Sequence, residues 1–232
     1  MKLNIKTATP SAYNLNNVDP EDISDVLVKI EKSFNITFGN DDLKDTKNFG
    51  ALCDVVVAKV KHAQADSCTT QQAFYKLRSA INARNPTEKY LVKPQTKLCE
   101  LFPRDNRIEV VADIEAEMGF HMNLLHPKPW ITWSFALLLV ASFGLFFVNS
   151  TVAFVGLVIS IAGLRLAGRF GKELKVKTIG DLAEKIAREH YLKCRRDAST
   201  VNRTEIVQKI KELFAHDLDL EPSALTKEAK FA

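Results

Sequence analysis

The sequence predicts an all-α protein, two small helical bundles interrupted by a hairpin of two apolar helices. Three observations predict it. Outside the middle of the chain, apolar residues recur at i, i+3 and i+4, the spacing of amphipathic helices rather than the alternation of half-buried strands. Between Pro129 and Arg169 the chain is apolar, with Arg165 as its only charge, and the polar run Asn149, Ser150 and Thr151 divides it once. The remainder has ordinary soluble composition, since the whole chain of 232 residues is still 26% charged with a mean hydropathy of −0.09.

The first helix follows Asp19, an N-cap residue, and Pro20, whose fixed φ suits the first helical position. Ile23, Val26, Leu27, Ile30 and Phe34 form its buried stripe. After a loop over residues 38–48, Leu52, Val55, Val56, Lys59 and Val60 predict a shorter second helix. Thr69 or Thr70 caps a third, with Phe74, Leu77 and Ile81 on one side, and Asn85 before Pro86 ends it. A long loop over residues 87–102 leads to a helix over 106–118, with Ile108, Val111, Ile114 and Met118 inward and Gly119 as its stop. Beyond the apolar stretch, Thr178 caps a helix carrying Leu182, Ile186 and His190. A last helix over 204–215 carries Ile206, Ile210, Leu213 and Phe214.

The apolar stretch reads as two membrane helices, residues 130–148 and 152–168, each near the roughly 20 residues that cross about 30 Å of hydrocarbon. Lys128 before the first, with Arg165, Arg169 and Lys172 closing the second, collects positive charge at one end. By the positive-inside rule both termini are then cytoplasmic, and the expected location is integral in a bacterial inner membrane. Trp130 and Trp133 suit the headgroup level. Gly156, Ser160, Gly163 and Ala167 place small side chains on one face, where a neighbouring helix packs closely. The competing reading, a hairpin buried in a soluble core, needs enough apolar partner surface to cover both helices, which the rest of the chain does not obviously supply.

The net charge of +4 is mild and the basic residues are dispersed, so a nucleic-acid footprint is not indicated. Arg188, Lys193, Arg195 and Arg196 lie near the apolar stretch, either as a basic cluster facing anionic lipid or as a solvated helix end. Cys53, Cys68, Cys99 and Cys194 form no Cys-x-x-Cys pair and read as free thiols of a reducing compartment. The five histidines are scattered, so no metal site is expected. Residues 1–17 lack the apolar core of a signal peptide. No Ser, His and Asp set, carboxylate pair or glycine-rich phosphate loop stands out, so no enzyme is expected. Arg104, Asp105 and Arg107, at the start of the helix over 106–118, are candidates for a partner-binding patch.

The chain is also self-similar. Residues 44–54 look like residues 174–184, and each follows a Phe-Gly, at Phe38 and Gly39 and at Phe170 and Gly171. Residues 92–98 likewise resemble residues 220–231, which points to duplicated units. These units resemble the acyl carrier protein family, a four-helix fold with a long loop after its first helix. Residues 27–60 look like helices II to IV of a carrier. Residues 74–118, with residues 96–101 as the loop motif, look like helices I and II, and residues 178–186 supply a helix IV. Residues 205–231 resemble a further helix I and loop.

The resemblance implies a tail at 1–19, a first unit at 20–64 completed by 203–232 in cis or in trans, and a second unit at 69–126 and 170–196. The hairpin at 129–168 is inserted into that second unit. Carriers attach 4′-phosphopantetheine to the serine of an Asp-Ser-Leu at the start of helix II. Here residues 103–107 and 19–21 occupy that place without a hydroxyl. Ser24 and Ser67 are the weak candidates if any serine is modified, with Ser67 reading first as a capping or linker residue.

The preferred expectation is therefore a membrane-anchored, non-enzymatic protein-interaction module with no cofactor, whose partners are the lipid bilayer and a protein, with oligomers allowed. One alternative is a membrane-bound acyl carrier of fatty-acid or lipid metabolism, bearing 4′-phosphopantetheine. The other is a small membrane sensor or transporter accessory in which the hairpin is the working part.

Overall fold

The computed structural model describes residues 15, 18–84 and 91–231. Among them the protein is all-α in class, with ten α-helices and four two-residue strands. Most of the expected tail, and the helix end expected at Asn85 and Pro86, lie outside the described residues. The chain divides into two compact units, Met1–Tyr75 with Ala183–Ala232, and Lys76–Leu182.

Unit 1 begins with α1 (Pro20–Phe34). Asp19 accepts from Glu21 N at 2.9 Å, Pro20 opens the helix, and Asn35 closes it in the left-handed region at φ 49°. Asn48 caps α2 (Phe49–Lys59) by accepting from Ala51 N. Strand β1 (Ala63–Gln64) pairs in parallel with β4 (Thr200–Val201). Between the strands in sequence lie α3 (Thr69–Arg84), whose first residues belong to this unit, and α9 (Tyr191–Cys194). Asn202 caps α10 (Arg203–Asp217).

Helix α10 packs against α1 and α2. Its Ile206, Ile210, Leu213 and Phe214 are all buried with Val26, Ile30, Phe34, Phe49, Leu52 and Val56 in one core. Burying each such side chain contributes roughly 1.5–3 kcal/mol, so the helix is a structural member of the unit and not an appendage. Leu15, within the expected tail, is part of this core, and its N–H donates to Lys230 O.

Unit 2 contains α4 (Leu98–Leu101) and α5 (Arg107–Met118), which ends at Gly119 with φ 74°. The inward residues of α5 are Arg107, Val110, Val111 and Ile114, while Ile108 is half-buried. Strand β2 (Leu125–His126) then leads into α6 (Pro129–Leu145). Helix α7 (Ser150–Arg169) returns to β3 (Glu173–Leu174), which pairs antiparallel with β2. At the start of α8 (Ile179–Glu189), Thr178 and Asp181 cap each other reciprocally, each backbone N–H donating to the other's side chain.

One backbone pattern occurs in both units. In unit 1, Phe49 N donates to Ala229 O, Gly50 N to Lys227 O, and Phe231 N to Lys47 O. In unit 2, Ile179 N donates to Thr96 O, Gly180 N to Pro94 O, and Leu98 N to Lys177 O. The partners correspond residue for residue, around the bridges Asn48 to Lys230 and Lys97 to Thr178. A second pair matches at the end of the preceding helix. Glu31 Oε1 accepts from Phe38 N, and Glu115 Oε1 from Met122 N, both at 2.6 Å and both past a left-handed cap.

Candidate functional site

Helices α6 and α7 lie against each other with their small residues between them. A Cβ built on Gly163 would overlap the Phe135 ring, and one on Gly156 would overlap Ser142 Oγ. Those two contacts fix an antiparallel register, and it runs on into the pairing of Leu125 with Leu174 and His126 with Glu173. Ser142 and Ser160 are buried, and each hydroxyl donates to the carbonyl four residues back, Leu138 O and Gly156 O, at 2.7 Å. No polar group of the interface then needs a partner outside the pair.

The outer surface of the pair is almost wholly apolar and uncovered. Leu137, Val140, Phe143, Phe154, Ile159 and Leu166 are exposed, and at the turn Phe147 is 94% exposed. Surface on this scale on a monomer marks contact with lipid or with another molecule. At the opposite end, Trp130 and Trp133 are 65% and 75% exposed, and Lys128, Arg165 and Arg169 are exposed with them.

The structure corrects the expected location. Helix α6 has 17 residues, about 26 Å at 1.5 Å per residue. It ends at Leu145, three residues early, because the chain turns through Phe146 to Val148 into Asn149, whose side chain accepts from Thr151 N and Val152 N. Only α7, at 20 residues and about 30 Å, is long and apolar enough to cross a membrane among the described residues. An integral two-helix membrane hairpin, with both termini cytoplasmic in a bacterial inner membrane, is therefore not supported. Within the described residues α7 is scarcely buried.

The candidate patch at the start of α5 is engaged within unit 2. Arg107 is buried, donating to Phe102 O and Lys172 O. Arg104 pairs with Glu173 at 2.7 Å, and Asp105 offers its carbonyl to Lys172 Nζ. These contacts fasten the exit of α7 to the start of α5. Ser24 is exposed on α1. Ser67 Oγ accepts from Arg195 at 2.8 Å.

Arg195 is the residue whose surroundings the sequence conceals. Expected in a surface cluster, it is 1% exposed, donating to Ala65 O, Ser67 O, Thr69 Oγ1 and Thr200 Oγ1, with Glu205 at 3.8 Å. Glu205 in turn accepts from Thr69 N and Thr69 Oγ1, placing an anion at the start of α3. Two charges thus hold segments more than 120 residues apart in sequence. The guanidinium is occupied by protein oxygens, so this cluster is structural.

Unit 1 also carries an apolar groove of about 130 Å³, lined by Ile23, Leu27, Leu43, Thr46, Leu52 and Phe231. Burial pushes the thiol of Cys53, on α2, up to about 12, with Asp54 adding to the rise, so it is not a nucleophile at neutral pH. No three His, Cys, Asp or Glu residues converge as a metal site among the described residues. Compared with known proteins, the chain matches no family model, no curated protein and no solved structure.

Proposed function

We propose that this chain is a non-enzymatic protein-interaction module attached to lipid through the outer face of α7, with helical units of the acyl-carrier kind that bear no phosphopantetheine. The single observation carrying the attachment is the uncovered apolar surface of α7, whose one buried polar side chain, Ser160, donates to Gly156 O of the same helix. Exposed apolar area of this kind is stable in water only when something apolar covers it.

The carrier-like reading is supported by the backbone pattern shared by the two units and by the sequence resemblance. On this reading unit 1 is a permuted copy of unit 2, closed in cis by α10, and the α6–α7 pair interrupts the second copy. The interaction role is supported by the apolar groove of unit 1 beside α1. It needs no modified serine, and Ser67 is engaged by Arg195.

The test is flotation of the full chain with phosphatidylcholine vesicles after detergent removal. The wild type is expected to float, and Val155→Gln with Ile159→Gln and Leu166→Gln to stay at the bottom of the gradient. A wild type that remains monodisperse in buffer without detergent or vesicles would overturn the attachment.

A further inference from the structure

We infer that Lys128, Arg165 and Arg169, with Trp130 and Trp133, form a headgroup-level site for anionic phospholipid. The inference rests on the proposed attachment through α7 and goes beyond it, because an apolar helix alone does not choose among headgroups.

Register brings the five residues to one level. With Phe135 against Gly163 and Leu125 paired to Leu174, Trp133 stands beside the turn holding Arg165. Trp130 stands beside Arg169, and Lys128 lies just beyond. Lys128 to Trp133 and Arg165 to Arg169 each span about 6–8 Å along their helices at 1.5 Å per residue. This is a layer, not a scatter. On one side of it the exposed surface is mainly apolar as far as the turn, where Phe147 is exposed beside the polar run Asn149 to Thr151.

Charge selects the partner. No Asp or Glu occurs between Glu117 and Glu173, and Glu173 is itself paired with Arg104. The three cations are exposed and form no ion pair among the described residues. Indole rings at this level favour the boundary between acyl chain and headgroup, where their N–H stays wet. Guanidinium groups bind phosphate oxygens in bidentate fashion. An apolar face below, aromatic rings at its rim and three unpaired cations above match a phospholipid of net negative charge.

The experiment uses the full chain and two vesicle compositions, phosphatidylcholine alone and phosphatidylcholine with about one third phosphatidylglycerol, at low and high salt. The wild type is expected to partition at least about tenfold better into the anionic vesicles at low salt, with the preference shrinking as salt screens it. Lys128→Gln, Arg165→Gln and Arg169→Gln are each expected to lower partitioning into anionic vesicles about fivefold, the factor that roughly 1 kcal/mol per surface charge implies. Arg165→Lys should keep most of the preference, which separates lost charge from lost folding. Equal partitioning of wild type and variants into both compositions overturns the headgroup site and leaves the attachment standing. No flotation with either composition overturns both.

Discussion

Asp217, the last residue of α10, illustrates how single side chains join the elements of unit 1. Its carboxylate takes Lys29 Nζ of α1 at 2.9 Å and His216 Nδ1 at 3.0 Å. Burial acts to raise this carboxyl, but the hydrogen bonds from His216 and Lys29 outweigh it and hold the group below the usual range. A carboxyl lowered by folding adds stability above its unfolded value near 4, and that stability is lost as pH falls through the folded value. Asp217→Asn is therefore expected to cost about 1 kcal/mol at pH 7, as for a partly exposed pair. The cost should fade to nothing at a pH below both values. Urea unfolding at pH 7 and at successively lower pH measures it, and a loss that does not shrink as pH falls would remove the ion pair from the explanation. Arg195 differs in kind, since it is itself buried among several buried and half-buried partners and no single neighbour defines its role.

At the scale of elements, the first turn of α2 depends on Gly50. A Cβ there would lie 2.9 Å from Lys227 O, a backbone atom, and the equivalent Cβ on Gly180 of α8 would lie 3.1 Å from Pro94 O. Overpacking costs about 1–3 kcal/mol, and the better helix propensity of alanine offsets up to about 1 kcal/mol of that. Gly50→Ala is thus expected to destabilise unit 1 by about 1–2 kcal/mol, read as a shift of the urea midpoint, with Gly180→Ala milder in unit 2. A variant as stable as the wild type would mean the loop shifts freely. Helix starts and stops of this sort were largely legible: Asp19 with Pro20, Gly119 and Thr178 act as their sequence context predicts. The end of α6 was not, because Phe146, Phe147 and Val148 are as apolar as the helix before them and carry no stop signal. Nor do two-residue strands such as β1 and β4 hold enough residues to show a period. The burial of Arg195 escaped for another reason. Its oxygen partners Ser67 and Thr69 are distant in sequence, and a basic residue near others looks solvated until the chain closes around it.

For the molecule as a whole, the main long-range commitment is α10 against α1 and α2. Four of its side chains sit in the unit 1 core, so removing residues 203–232 should unfold α1 and α2 rather than trim an end. Circular dichroism and proteolysis of the truncated chain would show helix loss well beyond the deleted residues. Retention of the remaining helicity and solubility would show that unit 1 closes without α10. The same packing dictates an order of events during synthesis. A ribosome delivers α1 and α2 first, then everything in Lys76–Leu182, and only afterwards Arg203–Asp217. Unit 2 has all its own parts once Leu182 has emerged, whereas the apolar stripe of α1 must wait, unsatisfied, for a helix translated about 170 residues later. A nascent chain stalled short of α10 would accordingly expose the apolar stripe of α1 and α2 and invite a chaperone or aggregation there.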